Sequence, residues 1–309
     1  MLLKTGALAL LGAGLWRLRD RIFWPDPKAA FFGAAKSSGG LAFSSRAHRV
    51  VIVDATVNGE PVRALIDSGA QSSVIDRSLA DRLDAPAGFG APVVALGMSG
   101  QPQMGRSAVV DVRLGELMLK GLHPAVLELG AIASASGLPF RLILGQDMLR
   151  QVVADFDFPR ERLWLHRREG YVPPPSAVAA QARLRGRELV VPVMIDGAPL
   201  EVVVDTGASG ALSVSSDVAE ALGLLRGRAV SWGRSISFGG LSRTQVVEVD
   251  SFSFAGRDYR GVPVHVYTAP AKGLIPDGLL GVGLLENYRV ILDQAKGVLH
   301  LARPLADMG

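Results

Sequence analysis

The chain of 309 residues is 49% hydrophobic, long enough for about two domains, and contains no cysteine, which excludes disulfides, thiolate catalysis and cysteine-bound zinc. Its five histidines lie far apart without the spacing of metal ligands, so we expect no metal site and no cofactor. The first 50 residues contain eight basic and two acidic residues and so carry a net charge of +6. Because the whole chain carries a net charge of +4, the remaining residues sum to −2. The folded body is therefore not basic, and we expect no nucleic-acid partner.

The chain opens on a short apolar stretch. Residues 5–16 read TGALALLGAGLW, a length that suits the core of a signal peptide better than a membrane span of about 20 residues. Basic residues follow at Arg17, Arg19 and Arg21, so an uncleaved anchor, a helix on a membrane surface and a disordered tail stay open. We predict that residues 1–45 form a signal or anchor with a basic tail, and that the protein is exported or membrane-anchored, facing the periplasm or the extracellular side.

The first half carries a hairpin followed by an acidic motif. Asn58-Gly59 predicts a tight turn because both residue types tolerate positive φ, and the strand after it runs into Asp67-Ser68-Gly69-Ala70. Helices are predicted over 73–83 and, after Ile143-Leu144-Gly145, over 146–151. Strands are predicted over 50–57, 62–66, 93–96, 108–114, 125–129 and 163–165.

A second copy of this pattern follows a proline-rich connector. Residues 169–185 are predicted to link a first lobe at 46–168 to a second lobe at 186–309. In the second copy the turn is Asp196-Gly197 and the acidic motif is Asp205-Thr206-Gly207-Ala208. Helices are predicted over 215–222 and 284–288, and strands over 189–195, 200–204, 236–238, 244–249, 262–267 and 298–301.

The two copies stay in step over about 100 residues. The turn glycine lies eight residues before the motif aspartate in both, and a second glycine follows the aspartate by 78 residues at Gly145 and by 76 at Gly281. Another aspartate lies twelve residues further on, at Asp157 and Asp293. The chain is therefore predicted to be two homologous halves, all-β with a few short helices.

Two carboxylates from matching halves can activate one water molecule. Hydrolysis of a peptide bond without a metal or a covalent nucleophile needs a base for the water and an acid for the carbonyl oxygen. Two close carboxyls supply both, because one is forced to hold a proton while the other stays ionised; aspartic proteases are the standard example of this effect. We therefore predict that Asp67 and Asp205 are catalytic. The hydroxyls of Ser68 and Thr206 are expected to bond across to the opposite lobe.

The motifs resemble those of retropepsin-like aspartic proteases, here in a single-chain, duplicated, bacterial-type form. The resemblance implies two acid-protease lobes with the active site at their interface, aspartic-type endopeptidase activity, an extended peptide or protein substrate, and a monomer. It places the catalytic pair on Asp67 and Asp205. Supporting roles are implied for Ser68, Gly69, Ala70, Thr206, Gly207, Ala208, Gly145 and Gly281, the last two making room where a strand crosses behind the catalytic loop.

The family also closes a glycine-containing hairpin over its substrate. The candidates here are the turn with Gly97, Met98 and Gly100 and the turn with Gly239 and Gly240. Both stay open to the simpler interpretation of an exposed β-turn without substrate contact.

Alanine follows the glycine in both motifs, where pepsin-like enzymes have Ser or Thr. Without that hydroxyl at Ala70 and Ala208 the ionised pair is less favoured and titrates higher, which predicts a pH optimum nearer neutral than strongly acidic.

Two other functions fit parts of the pattern. A catalytically silent relative could bind extended peptides in the cleft by strand addition in the cell envelope. A structural or adhesion protein of repeated β-domains would instead leave Asp67 and Asp205 far apart.

Overall fold

The protein is described here by a computed structural model, which covers residues 24–43, 49–89, 93–96, 102–137, 140–237, 240–268 and 275–302. Strands dominate these residues, and the helices among them are short. The strands of the first half are β1 (Ala29–Phe31), β2 (Leu41–Ala42), β3 (Ile52–Val57), β4 (Glu60–Ile66), β5 (Val74–Asp76), β6 (Val93–Leu96), β7 (Pro102–Ser107), β8 (Val110–Leu114), β9 (Leu117–Leu122), β10 (Ala125–Leu127), β11 (Leu142–Leu144), β12 (Val152–Asp157) and β13 (Arg162–Arg167).

The second half repeats this arrangement. Its strands are β14 (Val178–Ala180), β15 (Arg183–Arg185), β16 (Glu188–Ile195), β17 (Ala198–Val204), β18 (Leu212–Ser215), β19 (Val230–Ser237), β20 (Gly240–Val249), β21 (Phe252–Phe254), β22 (Arg257–Tyr259), β23 (Val262–Tyr267), β24 (Gly278–Leu280), β25 (Arg289–Asp293) and β26 (Val298–Ala302). The helices of the two halves are α1 (Arg77–Arg82), α2 (Gly130–Ser136), α3 (Gln146–Leu149), α4 (Ser216–Ala221) and α5 (Val282–Leu285).

The same three-strand unit lies at the centre of each half. Strand β11 lies between β4, to which it is parallel, and β5, to which it is antiparallel. Strand β24 lies in the same way between β17 and β18. The predicted hairpins before these units are confirmed: Asn58, Gly59, Asp196 and Gly197 all have φ between 48° and 89°, as a tight turn with two positive φ values requires. The duplication read from the sequence is thus a duplication of structure.

A six-stranded sheet joins the two halves. Its order is β14-β26-β25-β12-β13-β2, so β12 of the first half pairs directly with β25 of the second. Within it Phe156 is paired with Val290, and both side chains are buried. They belong to one contiguous cluster of buried apolar side chains that includes residues of both halves. The halves therefore share a core.

Two predicted helices differ from the structure. The segment predicted as a helix over 73–83 begins as strand β5, because the β-branched Val74 and Ile75 are buried between β11 and β10, and the helix starts only after Asp76. The second-half helix predicted over 284–288 lies earlier, at Val282–Leu285, because Gly281 is its N-cap. Helix α4 matches its prediction, with Ser215 as the N-cap.

Further strands lie where the sequence predicted tail, linker or shorter elements. Strands β1 and β2, within the predicted tail, pair with β9 and β13. Strands β14 and β15, within the predicted linker, pair with β26 and β16. The domain boundaries stay predictions, but strands from the predicted tail and linker pair with strands of the two lobes. Strands β19 and β20 are longer than predicted, β8 begins at Val110 rather than Ala108, and helix α2 has no counterpart among the predictions.

Candidate active site

The two motif aspartates follow the ends of equivalent strands. Asp67 comes directly after β4, and its N–H donates to the carbonyl of Leu144 at 3.0 Å. Asp205 comes directly after β17, and its N–H donates to the carbonyl of Leu280 at 2.9 Å. Each aspartate is thereby fixed to the central strand of its own half.

Backbone amides hold both carboxyl groups in the same way. The N–H groups of Gly69 and Ala70 donate to Oδ1 of Asp67 at 2.8 and 3.0 Å. In the other half the N–H groups of Gly207 and Ala208 donate to Oδ1 of Asp205 at 2.8 and 3.1 Å. Two amide donors on one oxygen stabilise the charged form of a carboxyl and fix its orientation.

The motif hydroxyls bond across the interface between the halves. The Ser68 hydroxyl donates to the carbonyl of Val204 at 2.7 Å and accepts from the N–H of Thr206 at 3.0 Å. The Thr206 hydroxyl donates to the carbonyl of Ile66 at 2.8 Å and accepts from the N–H of Ser68 at 3.0 Å. Both side chains are buried. These four bonds tie the two motif loops into one unit, which is the cross-lobe contact predicted from the sequence.

The two carboxyl groups face each other over the motif glycines. A Cβ atom built on Gly69 would lie 2.5 Å from Cγ of Asp205, and one built on Gly207 would lie 2.5 Å from Cγ of Asp67. Since real Cβ contacts are never that short, only glycine permits each loop to pass the opposite carboxyl. The structure thus brings Asp67 and Asp205 together from positions 138 residues apart.

Burial and mutual repulsion shift the titration of this pair. Burial raises the pKa of Asp67, although hydrogen bonds from Ala70, Asp205 and Gly69 oppose the effect. Burial also raises the pKa of Asp205, and the negative charge of Asp67 raises it further. The two groups therefore share one proton.

Gly145 and Gly281, which follow the motif aspartates at nearly the same spacing in both halves, also lie against the motif loops. A Cβ on Gly145 would meet the carbonyl oxygen of Ala70 at 2.6 Å, and a Cβ on Gly281 would meet that of Ala208 at 2.5 Å. The N–H groups that follow, of Gln146 and Val282, donate to these same carbonyls at 2.9 and 2.8 Å. Both glycines lie where the sequence predicted a close crossing.

A buried polar cluster supports the loop of the first half only, and sequence reasoning missed it. Asp147 accepts from the N–H and the hydroxyl of Ser73, and Gln146 donates to the carbonyl of Ser68 at 2.9 Å. Burial raises the pKa of Asp147, against the hydrogen bonds from Ser73. The second half has Leu212, Val282 and Gly283 at the corresponding positions. The mismatch between the aligned copies at these positions was the available signal.

The candidate hairpins over the site are described only in part. Strand β6 pairs with β7, and β19 pairs with β20, so each candidate turn joins two antiparallel strands. Gly240 begins β20, opposite Ser237. Substrate contact by these turns stays a prediction. Four of the named residues lie outside the described residues: Gly97, Met98, Gly100 and Gly239.

Neither a metal centre nor a membrane helix is found among the described residues. No group of three or more His, Asp or Glu side chains there is arranged to hold a metal ion. No helix in the same residues is long and apolar enough to cross a membrane. Residues 5–16, for which membrane association was predicted, lie outside the described residues.

Both halves of the chain match a known protein family. The sequence model of the aspartyl protease family matches twice, over residues 53–148 and 191–284. A structure similar to this one is a retropepsin-like aspartic protease from Rickettsia conorii, at 21% identity and a TM-score of 0.33, covering 41% of this chain and 90% of that one. No curated protein matches the sequence.

The chain belongs to the aspartyl protease family, with the family domain present twice. Its fold is the retropepsin-like fold in two lobes, as predicted from the sequence.

Proposed function

We propose that this protein is an aspartic endopeptidase that hydrolyses peptide bonds with a water molecule activated between Asp67 and Asp205. The observation that carries the proposal is the approach of the two carboxyls, each held by two backbone amides and each against the glycine of the opposite motif. Because two carboxyls this close share one proton, an acid and a base are present at the same point.

The shared proton allows one carboxyl to act as a base while the other acts as an acid. The ionised carboxyl of the pair takes a proton from water as the water oxygen forms a bond to the carbonyl carbon of the substrate. The protonated carboxyl gives its proton to the carbonyl oxygen. The C–N bond then breaks as the leaving nitrogen takes a proton from the first carboxyl, and a proton from the tetrahedral intermediate returns to the second. The pair ends with one proton, as it began.

The direct test is cleavage of an unfolded protein by the purified chain. We expect peptide fragments that disappear with pepstatin and with Asp67→Asn or Asp205→Asn, since an amide can neither accept nor hold the shared proton. Asp54→Asn is the matched control, because the Asp54 side chain is 93% exposed and lies on β3, away from the motifs. Retained peptide binding without cleavage at any pH would favour the silent peptide-binding module instead.

We further propose that the protein is a monomer and acts outside the cytoplasm, either after export or attached to a membrane through residues 5–16. The support is the apolar stretch and the basic residues after it. N-terminal sequencing of the mature protein, together with cell fractionation, distinguishes a cleaved signal from an anchor. An intact N-terminus in the soluble cytoplasmic fraction would contradict the proposal.

A further inference from the structure

One face of the second lobe carries a row of side chains beside Asp205. The strand registers pair Val203 with Leu279, Leu279 with Ser213, and Ser213 with His265. Directly paired residues project from the same face of a sheet, and residues two apart on a strand share that face as well. Asp205 follows Val203 by two residues, so the row that ends in His265 lies on the side of the candidate active site.

The equivalent row of the first lobe is apolar. There the registers pair Leu65 with Ile143, Ile143 with Val74, and Val74 with Ala125. All four side chains are buried, whereas Ser213 and His265 are only half-buried. The two halves of the site therefore differ in polarity and in openness at the same distance from the carboxyls.

One ring nitrogen of His265 is held by a hydrogen bond to a neighbouring strand. Its Nδ1 lies 3.3 Å from the hydroxyl of Thr244, a side chain that is only 4% exposed. A Cβ atom built on Gly210 would lie 3.4 Å from Cδ2 and 3.7 Å from Nε2 of the ring. The Nε2 edge thus borders a glycine of the loop that carries Asp205. Among the described residues it has no hydrogen-bond partner.

The surroundings of the ring leave it open to a substrate oxygen. Burial lowers the pKa of His265, so the imidazole is neutral near pH 7. The residues that face it from the neighbouring elements, Ser213, Thr244, Val246 and Gly233, carry no charge. Arg243, next to Thr244, has its guanidinium 4.7 Å from the ring centre of Trp232. In the tautomer in which the Thr244 hydroxyl donates to Nδ1, the Nε2–H group is a donor.

We propose that His265 is a specificity-determining residue, which donates Nε2–H to the carboxyl or carboxamide oxygen of a Glu, Gln, Asp or Asn side chain in an extended substrate. The proposal rests on the proposed protease function. Strands β17 and β23 are three strand spacings apart, about 14 Å. An extended chain rises about 3.3 Å per residue, which places the recognised residue within about four positions of the scissile bond. Since the equivalent row of the first lobe is apolar, the preference applies to one side of that bond only.

The test compares peptides that differ at one position. Reference peptides with Leu at each of the four positions on either side of the cleaved bond are matched with Gln and Glu versions, and kcat/KM is measured for each. We expect one position at which Gln or Glu is preferred to Leu by about tenfold, the usual size of one good substrate hydrogen bond. His265→Phe abolishes this preference and changes kcat/KM for the Leu peptide less than threefold. Thr244→Val, which leaves the ring unheld, reduces it.

The controls separate this inference from the proposed function. His123→Phe, a half-buried histidine of the first lobe that lies outside both rows, is expected to keep the preference. Should His265→Phe fail to fold, as judged by its thermal melting, His265→Leu takes its place. Absence of cleavage of every peptide by the unaltered protein contradicts the proposed function. Cleavage with the same Glu-to-Leu ratio before and after removal of the imidazole overturns the role of His265 alone.

Discussion

Removal of one hydroxyl from the contact between the lobes should weaken both the fold and the activity. Ser68→Ala deletes a group that is 1% exposed and makes two hydrogen bonds to the opposite lobe, to the N–H of Thr206 and the carbonyl of Val204. Both backbone groups stay buried without a partner in the variant. Thr206→Val has the mirrored effect on the N–H of Ser68 and the carbonyl of Ile66.

The size of the effect follows from the number of buried backbone groups that lose their hydrogen-bond partner. A buried polar group left without its hydrogen bond costs about 1–3 kcal/mol. Two such groups lower the free energy of unfolding of each variant by about 2–6 kcal/mol, a large share of the 5–15 kcal/mol that is typical of a folded protein. The double variant should cost less than the sum of the single ones, because all four bonds belong to one network.

Urea unfolding, together with kcat/KM on one reference peptide, measures both effects. Thr206→Ser keeps the hydroxyl and should stay close to the unaltered protein. Ser231→Ala, which removes an exposed hydroxyl bonded to its own hairpin at 3.4 Å, should do the same. If Ser68→Ala unfolds within about 0.5 kcal/mol of the unaltered protein and cleaves as fast, the cross-lobe bonds do not hold the site together.

Two further predictions concern the pH dependence of activity and of stability. The raised pKa values of Asp67 and Asp205 predict that the acid limb of the pH–rate profile lies above the ordinary Asp pKa of about 3.9. Ala70→Ser should move that limb to lower pH. A rate maximum in the strongly acidic range for the unaltered protein would reject the explanation. Burial raises the pKa of Asp155, but hydrogen bonds from Arg289 and other groups outweigh it and leave the pKa below its usual value. A carboxyl whose pKa is lowered by folding stabilises the fold above its unfolded pKa and loses that contribution as the pH falls through its folded pKa. Asp155→Asn should therefore lower the free energy of unfolding by about 2 kcal/mol at pH 7, as measured with urea. This difference should vanish in strong acid, and a difference independent of pH would contradict the explanation.

Much of the architecture was predictable because the sequence contains the same pattern of motifs twice. The apolar runs before Asp67 and Asp205, the turn glycines and the matched spacing to Gly145 and Gly281 all act locally, and each copy supports the interpretation of the other. Their joint presence predicted two β-lobes and one shared pair of carboxyls.

The remainder depends on contacts that no local pattern records. Val74 and Ile75 carry a helical spacing, yet burial between two strands makes them a strand, since tertiary packing overrides a weak local preference. The pairing of β1 and β2 with the first lobe and the row that leads to His265 arise from strand registers between distant segments. Asp147 was missed because a buried acid next to a helix start has no signature in sequence until its partner, Ser73, is known.

Because the two halves that meet at β12 and β25 belong to one chain, the two sides of the site can change independently. An enzyme built from two copies of one gene product must accept every substitution twice, once on each side of its symmetry axis. Here each half is encoded separately, while the linkage keeps the halves at a fixed high local concentration at any dilution. A histidine in place of a small apolar residue can therefore arise in one half alone, so that the two sides of the candidate active site come to differ while Asp67 and Asp205 stay unchanged.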